Sequence, residues 1–178
     1  TDLAKEYGMA LYQLAEEEQL DQQILEEFSV LARQFEENPD YLELLSTPAL
    51  QKSQRLQIAE EAFRGRIHVY LLDFIKILIQ REAAQQLPQC WRQYEKLYNQ
   101  RHNIERATAV TAVPLSPQLR EKLLEKLEQI SGKTILLENR VDPAVIGGVS
   151  IQMDGKELDD SLKSRLETLR SNLLQVIV

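Results

Sequence analysis

A chain of 178 residues with 43% hydrophobic content can bury one large core or two small ones. Its net charge of -7 and pI near 5.0 argue against nucleic acid and anionic lipid as partners, because both are gripped by basic faces. One cysteine, Cys90, excludes an internal disulfide and fits a reducing compartment, and no apolar run reaches the ~20 residues that span a bilayer.

The first hundred residues read as helices with short breaks. "LAKEYGMALYQLA" sets Leu3, Tyr7, Ala10, Leu11 and Leu14 on one face at the 3.6 period. Leu20, Ile24, Leu25, Phe28, Leu31, Ala32 and Phe35 form a cleaner second stripe. Asn38 is expected to cap a short third helix that opens at Pro39 and stops before Pro48. Leu56, Ala59, Ala62 and Phe63 mark a fourth helix, ended near Gly65. A fifth spans about 67–81, and a sixth starts at Pro88 and carries Trp91, Tyr94, Leu97 and Tyr98. Helices with brief connections predict a six-helix bundle over residues 1–104.

From Ile104 the pattern changes. "ERATAVTAV" is small and β-branched, which suits a strand. Ser116 before Pro117 reads as a helix start, and Leu119, Leu123, Leu124, Leu127 and Ile130 run to a stop at Gly132. "TILLENRVD" and "GGVSIQMD" give two further strands, and Leu162, Leu166, Leu169 and Leu173 a last helix capped by Ser161 after Asp160. Residues 105–178 therefore read as a small α/β domain with a short sheet and two main helices, so the fold class is α followed by α/β.

Each constellation that could carry chemistry has a plainer explanation. Gly132-Lys133-Thr134 imitates a phosphate loop but follows a helix and lacks the upstream glycine. Gly147-Gly148 lacks dinucleotide-loop spacing and suits a bend in the sheet, or a point where a partner backbone comes close. The glutamate runs at 16–18, 26–27 and 36–37 suit solvated faces. The only histidines, His68 and His102, have no glutamate three residues before them, so a carboxylate-bridged metal centre is not predicted. Cys90 beside Trp91 leaves a thiol-dependent enzyme as an alternative, against a buried structural thiol. No cofactor is predicted.

What remains is an excess of apolar helix surface. Tyr70, Leu71, Leu72, Phe74, Ile75, Ile77, Leu78 and Ile79 cover most of the fifth helix, beyond the ~100° stripe that one core requires. Either this helix is the centre of the bundle, or a partner helix lies in a groove between it and the first helix. Tyr7 and Tyr12 would suit such a groove as aromatic anchors with polar tips.

The order of these parts resembles the delta subunit family of F-type ATP synthases, whose mitochondrial counterpart is the oligomycin-sensitivity-conferring protein. The resemblance runs over essentially the whole chain. It rests on "YGMALYQLA", "VPLS", "GKTILLENRVDPAVIGGVSIQMDG" and "DDSLKSRLETL", and most specifically on Asp142-Pro143, Ile146-Gly147-Gly148 and Asp160-Ser161. It departs at Glu6 and Gly8, where the family often has a basic residue and an alanine. The resemblance implies a non-catalytic stator that ties the catalytic hexamer to the membrane-held stalk. It further implies an alpha-subunit N-terminal helix lying in a groove lined here by Tyr7, Leu11, Tyr12, Phe74 and Leu78. Peripheral-stalk b subunits are expected on the C-terminal domain, with the beta subunit as a further neighbour. The expected location is the cytoplasmic face of a bacterial plasma membrane, or a thylakoid or mitochondrial inner membrane if organellar, without insertion. A helical adaptor of an unrelated complex is the other alternative.

Overall fold

The computed structural model describes residues 2–144, 149–153 and 171. Gly147, Gly148, Asp160, Ser161 and the last predicted helix lie outside the described residues. The chain divides into two compact units, Thr1–Tyr98 and Asn99–Val178; the division falls in the last turn of a helix, a little before the one expected at residue 104.

The first unit is helical: α1 (Asp2–Glu17), α2 (Asp21–Glu37), α3 (Pro39–Ser46), α4 (Lys52–Phe63), α5 (Val69–Gln80) and α6 (Leu87–Arg101), with a short 3-10 turn before α6. The α2 stripe behaves as its spacing predicts, with Ile24, Phe28, Leu31, Ala32 and Phe35 all buried. Phe28 is the hub. It meets Phe74 of α5 at 6.0 Å, and Trp91 and Tyr94 of α6 at 5.4 and 6.2 Å, edge to face in each case. Tyr12 of α1 meets Tyr94 at 5.4 Å. Such aromatic pairs add about 0.5–1.5 kcal/mol each beyond area burial. The fully buried Tyr94 keeps its hydroxyl satisfied by donating to the Asp21 carbonyl at 2.9 Å.

Polar locks fix the ends of α4 and α5. Gln51 and Gln54 close a reciprocal capping box at the start of α4. Arg55, 3% exposed, forks onto Glu82 just past α5 at 2.8 and 3.0 Å. Glu60 of α4 takes both Lys76 of α5 and Arg64. His68 caps α5 by accepting from the Tyr70 amide at 3.2 Å, and its own amide donates to Glu27 of α2 at 2.6 Å. Asn38 departs from expectation: it makes no cap to α3, and its side-chain amide donates back to the Gln34 carbonyl at 3.2 Å. The orphan carbonyls at the end of α2 compete for that side chain.

Among the described residues of the second unit, β1 (Ile104–Thr111), β2 (Thr134–Val141) and β3 (Val149–Met153) form a three-stranded sheet ordered β2-β1-β3, with α7 (Pro117–Ser131) between β1 and β2 in the chain. β1 pairs in parallel with β2, Ala107 opposite Leu137, and antiparallel with β3, Ala109 opposite Ile151. The parallel pair is joined through α7, as a crossover requires. Ala107, Ala109, Leu123, Leu127, Ile135, Leu137 and Val149 make the core. Both ends of α7 match the sequence reading. Ser116 accepts from the Leu119 amide at 3.3 Å, and Gly132 adopts φ +67°, the left-handed conformation that favours glycine.

Candidate functional site

The chemical alternatives lose their geometry. Cys90 is fully buried and burial pushes its thiol up to about 11, so the thiolate that attacks or ligates is suppressed. Lys133 is paired with Glu105 at 2.7 Å after the helix stop at Gly132, which makes Gly132-Lys133-Thr134 a helix end followed by an ion pair. Among the described residues no group of three or more His, Cys, Asp or Glu could hold a metal. No described helix is long and apolar enough to cross a membrane.

The surface of α1 is the informative one. The apolar face set by the 3.6 period, Leu3-Tyr7-Ala10-Leu11-Leu14, is mostly outside: Leu3 is 41% and Leu14 38% exposed, Ala10 is exposed and Tyr7 half-buried. Ala4, Gly8, Leu11, Tyr12 and Ala15 point inward instead, roughly a third of a turn round the helix. Close approach explains the inversion. A Cβ on Gly8 would stand 2.8 Å from the Cys90 carbonyl oxygen and 2.9 Å from Gln93 Cβ, both on α6. The helix is seated through Ala4, Gly8 and Ala15, which let backbones come together, with Leu11 and Tyr12 also buried, while Leu3 and Leu14 are left exposed.

α5 is in contact with α1 and has exposed apolar residues of its own. Leu71, Leu72, Phe74, Ile75, Leu78 and Ile79 are buried, whereas Ile77 stands 43% exposed, Val69 is exposed and Tyr70 is half-buried. The helix is therefore buried on one side and exposed at Val69 and Ile77 on the other, so it is not a wholly enclosed centre of the bundle. Of the five residues expected to line a groove, Leu11, Tyr12, Phe74 and Leu78 belong to the chain's own core, and only Tyr7 is partly open. Their apolar character signalled burial, and the sequence holds no mark that separates a groove wall from the core beneath it. The residues that reading passed over are Val69 and Ile77 of α5 and the outward role of Leu3, Ala10 and Leu14; the excess of apolar positions was their only signal. In the second unit Asp142 accepts from the Ala144 amide at 3.0 Å and its own amide donates to Thr111 at 2.8 Å. Asp142-Pro143 thus forms the turn that leaves β2.

Comparison with known proteins gives a consistent picture. The model of the ATP synthase delta (OSCP) subunit family matches residues 3–173. An ATP synthase subunit delta of Alkaliphilus oremlandii is 33% identical over 176 residues, covering 99% of this chain and 98% of that one. One from Clostridium botulinum is 30% identical, with 97% of each chain covered. Among solved structures, a chain of the Toxoplasma gondii mitochondrial ATP synthase hexamer, determined by cryo-EM, superposes with a TM-score of 0.69 over 97% of both chains. At 18% identity that likeness establishes the fold.

Proposed function

The chain belongs to the ATP synthase delta (OSCP) subunit family, and from that premise we infer that its six helices act as one bundle whose α1–α5 surface holds a helix from the alpha subunit. As a peripheral-stalk subunit it performs no bond chemistry of its own; it resists the torque that a turning rotor exerts on the catalytic hexamer. The second unit, with the turn at Asp142-Pro143 and the segment containing Gly147, Gly148, Asp160 and Ser161, is the contact for the b subunits. The beta subunit is a neighbour of the assembled stalk. The protein sits peripherally at the cytoplasmic face of the membrane that houses the synthase.

The observation that carries this reading is the outward row Leu3, Tyr7, Ala10 and Leu14 on α1, together with the exposed Ile77 on α5, a helix in contact with α1. Fully burying an aliphatic side chain of this size gives about 1.5–3 kcal/mol, so three side chains about 40% exposed contribute about 1 kcal/mol each when covered. A helix that buries a standard area of about 800 Å² per side reaches useful affinity when an aromatic anchor such as Tyr7 adds to that.

The test uses a synthetic peptide of the alpha-subunit N-terminus titrated into the whole chain. Leu14→Asp and Ile77→Asp should each weaken binding about tenfold or more, with helical circular dichroism unchanged because both sites are exposed. Met9→Asp, exposed on another side of α1, should have no effect. Unchanged affinity in both of the first two variants would remove this surface from the interface. Tyr12 and Phe74, being core, would report unfolding instead.

A further inference from the structure

A concave surface in the helical unit shares no residue with the α1–α5 face. It is an open cleft of about 670 Å³ between α2, the start of α3 and the end of α4. Its floor is Leu31, Phe35 and Phe63, and its walls are Val30 and Tyr41, exposed by 47% and 36%. Apolar side chains standing open around a trough of this size are more than a soluble surface needs, and such clefts take ligands or partner side chains.

Charge selects the guest. The rim carries the carboxylates Glu27, Glu37 and Asp40 against the single cation Arg66. Glu27 already accepts the His68 amide, and Asp40 lies in the first turn of α3, where the helix terminus offsets part of its charge. Glu37 has no such relief. It ends α2 next to Glu36, with no basic residue in the last turn, so its charge adds to the negative end of the helix dipole. That arrangement is unfavourable in the free chain, and a cation placed there relieves it.

We propose that this cleft docks a cationic amphipathic helix of a partner polypeptide, its apolar side chains between Val30 and Tyr41 and its Lys or Arg residues against Glu37 and Asp40. A helix fits better than a small amine because the exposed walls would stay wet around a compact ligand, whereas a helix covers them along their length. The proposal stands apart from the alpha-subunit reading and survives or fails separately.

The probe is a labelled peptide of Leu and Lys at helical spacing, with a Leu and Glu counterpart, followed by fluorescence anisotropy on the whole chain. The Lys peptide should bind with an affinity that falls as salt rises, and the Glu peptide should bind at least tenfold more weakly, since like charges at a rim oppose docking. Glu37→Lys combined with Asp40→Lys should weaken the Lys peptide about tenfold, as should Val30→Asp; all three positions are exposed, so the fold tolerates the changes. Leu14→Asp with Ile77→Asp should leave this binding in place. Equal binding of both peptides, indifference to the Glu37, Asp40 and Val30 changes, or loss confined to the Leu14 and Ile77 variant would overturn the proposal. Saturable binding of hexylammonium that Val30→Asp abolishes would make the cleft a small-ligand site and overturn it too.

Discussion

Adding one methyl group at Gly8 sets two known energies against each other. In the interior of a helix alanine is favoured over glycine by about 1 kcal/mol, so Gly8→Ala would stabilise an α1 free of neighbours. Against that, the new carbon would lie 2.8 Å from the Cys90 carbonyl oxygen and 2.9 Å from Gln93 Cβ. Neither can rotate away, since one is main chain and the other is the first side-chain carbon. α1 must therefore lift from α6, and overpacking of this kind costs about 1–3 kcal/mol. The expected net is a loss of about 1 kcal/mol. Urea unfolding followed by Trp91 fluorescence reads it directly. Trp91 is the only tryptophan, lies on α6 one residue from Cys90, and stacks edge-on with Phe28. With a slope of about 1–3 kcal/mol/M the midpoint should fall by roughly 0.5 M. Ala10→Gly, at an exposed position of the same helix, should cost about 1 kcal/mol and calibrates the propensity term. If Gly8→Ala instead raises stability by as much as Ala10→Gly lowers it, the close approach of α1 and α6 is wrong, and so is the account of why Leu3 and Leu14 face outward.

Glu82→Gln should destabilise the helical unit more than Arg55→Met in denaturant titrations, because it strands a buried guanidinium whereas the reverse change frees a carboxylate that reaches water. Hydrogen bonding from Arg55, with Lys52, holds the Glu82 carboxyl below its ordinary value, as Lys76 does for Glu60. Stability from these depressed groups is complete above the unfolded carboxylate value of about 4.3 and drains as pH falls through the lower folded values; Glu82→Gln should flatten that acid limb of an unfolding-versus-pH curve. Ser116→Ala should cost about 1 kcal/mol and speed hydrogen exchange at the first amides of α7, while those of α2 stay unchanged. Cys90 should react with a thiol reagent only as fast as the helical unit opens, and at the ordinary rate in denaturant.

Much of the architecture was readable because it rests on local rules. The α2 stripe, the break before Pro48, the Ser116 start and the Gly132 stop each depend on a few adjacent residues whose preferences agree. What escaped was the rotation of α1 about its axis. Its most regular apolar row, Leu3-Tyr7-Ala10-Leu14, reads as core on periodicity alone, and only the three-dimensional approach to Cys90 and Gln93 reveals that Ala4, Gly8 and Ala15 face inward. Gly8 was visible as a departure from the family, but its meaning lay in a residue more than eighty positions away. The same limit applies to the five groove residues, four of which are buried in the chain. Tyr12, Phe74 and Leu78 are as hydrophobic as any docking surface, and burial depth is a property of neighbours that a linear pattern does not name. Asn38 shows a smaller version of this competition, its side chain serving the helix behind it instead of the one ahead.

An α1 that keeps Leu3 and Leu14 wet beside a half-open Tyr7 creates a hazard for any copy synthesised ahead of its partners, because two unassembled subunits could zip the same row against itself. The helix carries its own deterrent in Asp2, Glu6, Glu16 and Glu17 against a lone Lys5, so that orphan copies repel one another at close range. Concentrated salt should erode that deterrent first, leaving homodimers where a synthase subunit was meant to wait alone.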